Sequence, residues 1–320
     1  MSDAAPAVAE APARATTVSL VLGSGGARGY AHIGVIEELV AQGFDIRSIA
    51  GCSMGALIGG VYAAGKLDAY RDWVLPLHRL DVLRMLDWTF TGGGFIKGDR
   101  IIGALRKQIG DIDIEDLPIS FTAVAVDLDA QREVWFSRGS LFDAIRASIA
   151  IPTIFRPAHL EGRLLVDGGL LNPLPVSPTL RDLTDLTIAV DVNGAVEPIE
   201  NSTPIQAEEL ASAADVGNGR AKRRVRRLLA ALLERRSTPA APREPGVLDL
   251  FARSLDVVQE TITRLKLAAQ PPDLLISIPR NVSTFYDFHR AETVIEIGRQ
   301  RTREALVRWN HAHVPLRRRR

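Results

Sequence analysis

Short apolar runs rich in β-branched residues alternate with stretches of helical periodicity along the first two thirds of the chain. Val18-Ser19-Leu20-Val21-Leu22, Phe121-Thr122-Ala123-Val124-Ala125-Val126 and Leu186-Thr187-Ile188-Ala189-Val190 read as buried strands, and Leu274-Leu275-Ile276-Ser277-Ile278 as a later one. From Tyr30 to Val40, the apolar residues Ile33, Val35, Ile36 and Leu39 fall where a helix packed on a sheet needs them. Asp99 to Ile109 predicts a second helix with Asp99 as its N-cap, and Leu248 to Ala268 and Asp287 to Asn310 predict two more. Strands alternating with helices predict a layered α/β fold with a largely parallel sheet.

The pattern breaks between about Gly194 and Gly246, where strand signals vanish and Ala, Pro, Glu and Arg take over. Within it, residues 220–236 form a basic amphipathic helix, with Val225, Leu228, Leu229 and Leu232 on one face and arginines flanking it. This stretch reads as an insertion between the α/β core and its last strand and helix, within one domain spanning residues 18–316. The helix is either a membrane-surface element or a packing helix with its arginines in water. Met1 to Thr17, rich in Ala and Pro, reads as a disordered leader, and residues 317–320 as a basic tail.

Composition narrows the function classes. A net charge of +1 on 320 residues argues against a nucleic-acid partner. The single cysteine, Cys52, precludes an intramolecular disulfide and fits a reducing, cytoplasmic compartment, with peripheral contact to the inner face of a membrane as an option. No apolar stretch is long enough to span a bilayer. The acidic residues Asp99, Asp113, Glu115 and Asp116 show no metal-ligand spacing, and neither a metal nor a cofactor is expected.

Chemistry concentrates in three places. Gly51-Cys52-Ser53-Met54-Gly55 lies between a strand end and the small-residue run Ala56 to Ala64, the setting of a nucleophile elbow. It exposes Ser53 at a helix N-terminus, where developing negative charge is favoured. Gly23-Ser24-Gly25-Gly26-Ala27-Arg28-Gly29 follows the first strand; it suits an oxyanion site, a phosphate site or close packing, and the serine elbow favours the first. Leu164-Leu165-Val166-Asp167-Gly168-Gly169 ends a strand on an acid, as do Asp127, Asp129 and Asp191, and the local pattern does not choose among them. His289, His311 and His313 could complete a triad by order alone, but none lies in a Gly-rich loop, so a serine–aspartate dyad ranks first. Cys52 reads as a small buried apolar residue. Trp73, Trp88, Phe90 and Phe95, around Gly92-Gly93-Gly94, form either an apolar flap or ordinary packing.

Taken in order, Arg28-Gly29 after glycines, Gly51-x-Ser53-x-Gly55, Ala147 to Pro157 and Asp167-Gly168-Gly169 resemble the patatin-like phospholipase family. Within it, the chain is similar to bacterial cytoplasmic members related to the neuropathy target esterase catalytic domain, from about Val18 to Asn193 with a weaker echo at Leu274 to Arg290. The resemblance implies a three-layer α/β/α patatin-like hydrolase fold, with Ser53 as nucleophile and Asp167 as its proton acceptor. It implies that Gly25, Gly26 and Arg28 line an oxyanion hole, with Gly29, Gly51, Gly55, Gly168 and Gly169 as motif residues. Ser24 stands where the family usually has the first of three glycines. The implied substrates are lipid acyl esters, phospholipids or lysophospholipids; the rival reading is a regulatory or lipid-binding protein with little turnover.

Overall fold

The computed structural model describes residues 14–79, 81–82, 87, 94–197 and 247–313. The leader up to Ala13, the basic segment 220–236 and the terminal tail lie outside the described residues. By its internal contacts the chain divides into two units, Met1–Val196 with Leu255–Arg320, and Glu197–Ser254.

In chain order the first unit opens with β1 (Thr17–Leu22), a 3-10 turn (Gly26–Tyr30), α1 (Ala31–Ala41), β2 (Asp45–Cys52), α2 (Met54–Ala63) and α3 (Leu67–Val74). Next come β3 (Gly94–Ile96), α4 (Asp99–Ile109), β4 (Ser120–Asp127), β5 (Arg132–Phe136) and α5 (Leu141–Ser148). Then follow β6 (Thr153–Phe155), β7 (Ala158–Leu160), β8 (Arg163–Asp167), β9 (Leu186–Gly194), α6 (Val247–Ala269), β10 (Leu274–Pro279) and α7 (Ala291–His313). Eight strands form the main sheet in the order β10-β9-β1-β2-β4-β8-β7, with β5 paired to β4. From β10 to β4 every pairing is parallel, whereas β5 and β8 run antiparallel to β4 and β7 antiparallel to β8. A small parallel pair, β3 with β6, stands apart.

Alternation along the strands builds the layers. On β1, Val18, Leu20 and Leu22 join the main core with Ile33, Ile36 and Leu39 of α1, Ile58 of α2, Ile145 of α5 and Ile295 of α7. Val21 points to the other face, where it meets Ala189, Leu174 and Val176, with Leu267 of α6 against them. The fully buried β1 is thus covered on both faces, as a central parallel strand must be. The result is an α/β fold with a mostly parallel central sheet.

Two readings shift. The N-cap of α4 is Gly98, not Asp99; the Asp87 carboxylate, from outside the helix, accepts the amides of Gly98 at 2.7 Å, Asp99 at 2.9 Å and Arg100 at 3.2 Å. Three amides on one remote acid satisfy donors that a local cap would have left to water. The last helix starts at Ala291 after a 3-10 turn at Phe288–Arg290, rather than at Asp287.

Helices α1 and α7 cross at two glycines. A methyl group on Gly34 would run into the Ile295 carbonyl, and one on Gly298 into the Ala31 carbonyl. Backbone cannot yield as a side chain can. We expect Gly34→Ala to lower unfolding stability by about 1–3 kcal/mol. Gly103→Ala, in α4 with nothing near the added methyl, should instead be neutral or gain up to about 1 kcal/mol. Denaturant unfolding of the two variants checks the contrast; equal effects would refute the crossing argument.

Candidate active site

Ser53 stands between β2 and α2 with φ 54° and ψ −121°. A side chain with φ above zero is strained, and such strain persists only where its surroundings over-determine it. Here they do. The Ser53 amide donates to Ser148 Oγ at 2.9 Å, and Ser148 Oγ donates to the Val124 carbonyl at 2.6 Å, so the elbow is bolted to β4 through the end of α5. A methyl on Gly51 would sit 2.6 Å from the backbone of Ala56, and one on Gly55 would enter the Leu22 and Gly23 carbonyls. Serine is a preferred N-cap, yet the Ser53 side chain makes no capping bond to α2. Its hydroxyl is left uncommitted to the helix.

The acid arrives from the other side of β4. Cys52 pairs with Val124 on one edge, and Asp167 pairs with Ala125 on the other, because β8 runs antiparallel. The ends of β2 and β8 therefore flank β4 at nearly the same level. Asp167 Oδ1 accepts the Gly169 amide at 2.7 Å and a long contact from Cys52 Sγ at 3.9 Å. Oδ2 is buried without a well-formed partner. The Ser53 hydroxyl is near enough to hold the Asp167 pKa down, as do Gly169 and Cys52, but burial outweighs them and pushes the carboxyl up to about 6. Gly168 and Gly169 are required by close approach: a methyl on Gly168 would strike the Val124 carbonyl, and one on Gly169 would lie 2.5 Å from Gln259 Nε2 of α6. Cys52 is fully buried with its thiol pushed well above its ordinary range by burial and the neighbouring Asp167. It stays protonated.

The other acids stay apart. Asp127 accepts the Ala130 amide at 3.0 Å, Asp191 accepts the Asn193 amide at 2.9 Å, and Asp129 is exposed. Of the three histidines suggested by order, His289 accepts from Arg79 Nε at 3.1 Å, His311 sits against the Val307 carbonyl of α7, and the His313 side chain lies outside the described set. The histidine that reaches the glycine loop is His32. Burial pulls its pKa down to about 4, so the ring is neutral, and Nε2 lies 2.8 Å from the Gly23 carbonyl. A carbonyl only accepts, so Nε2 carries the proton.

In that loop the amides of Gly23, Ser24 and Ala27 donate to the carbonyls of Val190, Pro173 and Phe285 at 3.0, 2.8 and 3.0 Å. Among the described residues, those of Gly25 and Gly26 have no backbone acceptor. Gly29 packs against Met54 Cβ, which sets the loop beside the residue following Ser53. Arg28 is buried; its Nε donates to the Gly25 carbonyl at 3.2 Å and its Nη2 meets Asp256 at 3.3 Å. Burial lowers its pKa while Asp256 and Asp191 raise it. The guanidinium is thereby committed to the carbonyl side of the loop.

The patatin-like phospholipase family profile matches residues 20–180, the segment that carries the glycine loop, Ser53 and Asp167. An NTE family protein of Mycobacterium tuberculosis (strain ATCC 25618 / H37Rv) is 42% identical over 90% of this chain and 91% of its own. The chain belongs to the patatin-like phospholipase family. The lysophospholipase nte1 of Emericella nidulans is 31% identical over 58% of this chain, which covers only 12% of that longer protein. In fold, the chain is similar to VipD from Legionella pneumophila, with a TM-score of 0.50 at 15% identity, over 92% of this chain and 67% of that one. Family membership supports lipid acyl hydrolysis in general.

A cavity of about 680 Å³ lies elsewhere on this patatin-like chain, lined by Lys97, Arg146, Arg156 and His159 among others, and neither Ser53 nor Asp167 borders it. Ser53 and Asp167 are instead almost fully buried, 1% and 3% exposed. Trp73 is half-buried and stacks at a tilt on Tyr70, 5.8 Å between centroids, whereas Trp88, Phe90 and the Phe95 side chain lie outside the described residues. Among the described residues no group of three or more His, Cys, Asp or Glu could hold a metal ion, and no helix is long and apolar enough to cross a membrane. Sequence reading passed over Ser148, His32 and Asn193. His32 carries a signal, since it stands three residues past Gly29 and one helical turn returns it to the loop; Ser148 lies in the Ala147 to Pro157 block that carries the resemblance, and Asn193 carries none.

Asp167 has a measurable cost in stability. Its carboxyl titrates near 6 in the folded chain against an ordinary 3.8. Between those values the folded chain keeps a proton that the unfolded chain has shed, so stability falls as pH rises through this window. The loss is complete above it, on the order of 3 kcal/mol. Asp167→Asn removes the penalty. Its Tm advantage over the parent should grow between pH 4 and pH 7.5; an advantage that shrinks over that range would contradict a raised Asp167.

Proposed function

We propose that the chain is a serine acyl-ester hydrolase acting on lipid esters, phospholipids or lysophospholipids, through a Ser53–Asp167 dyad. The observation that carries this is a buried carboxyl, raised towards neutrality, beside a serine hydroxyl that caps no helix. In the proposed step Asp167 takes the proton from Ser53 Oγ as it attacks the ester carbon. The carbonyl oxygen, now an anion, turns to the Gly25 and Gly26 amides. The alkoxide leaving group takes the proton back from Asp167; water, deprotonated by the same carboxylate, then attacks the acyl carbon, and Ser53 Oγ leaves with that proton to restore the hydroxyl. Because the Ser53 amide is occupied by Ser148, the anion depends on the loop donors.

A carboxylate is a weak base for an alcohol in water, and desolvation is what raises its basicity here. Ionised Asp167 is the active form, so kcat/KM should climb with pH through a limb near 6 and level off above it. Ser53→Ala should abolish turnover and fluorophosphonate labelling while the chain stays folded by circular dichroism. Full esterase activity in Ser53→Ala would refute the assignment. The rival, a lipid-binding protein with little turnover, draws on the near-complete burial of Ser53, since an ester reaches the hydroxyl only after the groups above it move. Trapping an acyl-enzyme on Ser53 decides against that rival.

The same reading takes the basic segment 220–236 as the contact with an anionic lipid surface. Removing residues 220–236 should then weaken cosedimentation with vesicles containing phosphatidylglycerol and leave the low background on pure phosphatidylcholine unchanged. Equal binding with and without the segment would overturn it.

A further inference from the structure

Three consecutive carbonyls of the glycine loop are each held by a different side chain. His32 Nε2 lies 2.8 Å from the Gly23 carbonyl, Asn193 Nδ2 donates to that of Ser24 at 2.6 Å, and Arg28 Nε donates to that of Gly25 at 3.2 Å. These donors come from α1, from the end of β9 and from the 3-10 turn, so the loop is gripped from separate parts of the fold. In a planar trans peptide the C=O and the following N–H point in opposite directions. Holding the Ser24 carbonyl therefore aims the Gly25 N–H away from Asn193, and holding the Gly25 carbonyl aims the Gly26 N–H away from Arg28. Those two amides are the ones with no backbone acceptor among the described residues.

A glycine-rich loop left to itself would rotate these peptides freely, since glycine imposes little conformational preference. Freely rotating donors stabilise an anion poorly, because their reorientation costs as much as that of water. Arg28 is in turn held by Asp256 at 3.3 Å, which restrains the guanidinium. Asn193 is set by its own backbone, whose amide donates to Asp191 Oδ1 at 2.9 Å.

We propose that His32, Asn193 and Arg28 are positioning residues that lock successive peptide planes of the loop, so that the Gly25 and Gly26 amides converge on the oxyanion. This rests on the hydrolase reading above and goes beyond it by placing the positive side chain on the carbonyl side of the loop. None of the three touches the substrate.

Asn193→Asp is nearly isosteric, removes the donor and sets an oxygen against the Ser24 carbonyl. With p-nitrophenyl butyrate as substrate, kcat should fall by about 10- to 100-fold with KM within about threefold; removing an oxyanion donor outright costs about 10²–10³. Inhibition by a trifluoromethyl ketone, whose adduct with the serine bears an oxyanion, should weaken in parallel with kcat. His32→Gln can keep a donor near the Gly23 carbonyl and should recover most of the activity lost in His32→Ala. Should Asn193→Asp fail to fold, Asn193→Ala takes its place. Unchanged kcat in a folded Asn193 variant, or a loss in which ketone inhibition does not follow kcat, overturns the proposal while the hydrolase reading stands. A parent protein that neither turns over the ester nor labels at Ser53 removes both.

Discussion

The contact between Gly55 and the carbonyls of Leu22 and Gly23 governs the geometry of everything around it. Only a residue without a side chain lets the first turn of α2 lie on the end of β1. That approach brings the strained Ser53 next to the glycine loop, because β1 and β2 are parallel neighbours and both end at this level. Gly29 against Met54 repeats the fit from the loop's side. The strain at Ser53 is then held by bonds that do not belong to either strand, through Ser148 to Val124 of β4. Close packing and strain are coupled here: loosening one lets the serine relax into an ordinary helix cap.

Electrostatics follow from the same compactness. Asp167 is buried where β4 and Gln259 of α6 pack against the Gly168–Gly169 turn. A carboxylate so placed keeps only a few hydrogen bonds and its pKa rises, which makes it a better base and a poorer contributor to stability. The neighbouring Cys52 suits this setting as a neutral, weakly donating group. A cationic neighbour in its place would bring the carboxyl back down and lessen its basicity. Meanwhile neutral His32 lies 2.8 Å from the Gly23 carbonyl and adds no charge to the loop. In the dyad proposed above, desolvation of Asp167 takes the part that an imidazole plays in a triad.

What could be read from the chain was what is local. The strands at 18–22, 121–126 and 186–190 emerge within a residue or a few of those positions because burial on both faces writes itself as continuous apolar runs, while 274–278, an edge strand, shows through its alternate buried Ile276 and Ile278. The elbow, the glycine loop and the Asp-Gly-Gly turn are likewise contiguous and carry their own chemistry. Strand direction was not visible: nothing in Arg163 to Asp167 says that it runs against β4, and that reversal brings Asp167 level with Cys52. Nor could the local pattern choose Asp167 over Asp127 or Asp191, since each accepts a nearby backbone amide much as Asp167 does. Asp99 was misread as a cap because a cap supplied by Asp87, twelve residues away, leaves no local trace.

The segment that matches the family profile, residues 20–180, holds the proposed reactive groups and part of what fixes them, Ser148, His32 and Arg28 included, while other supports come from beyond it. β1, which carries the loop, pairs on one side with β2 and on the other with β9, which lies beyond that segment. Without β9, β1 would become an exposed edge with its backbone groups unpaired. The Gly23 amide would lose the Val190 carbonyl, and the Ser24 carbonyl would lose Asn193. Asp256 and Gln259 of α6, which restrain Arg28 and cover the Asp167 turn, also come from the last third of the chain. The similarity to the mycobacterial NTE family protein, by contrast, extends over 90% of the chain. That extent agrees with the physical argument: the matched segment carries Ser53, Asp167 and the glycine loop, and the remainder supplies β9, which pairs with β1, and α6, which packs on the Gly168–Gly169 turn.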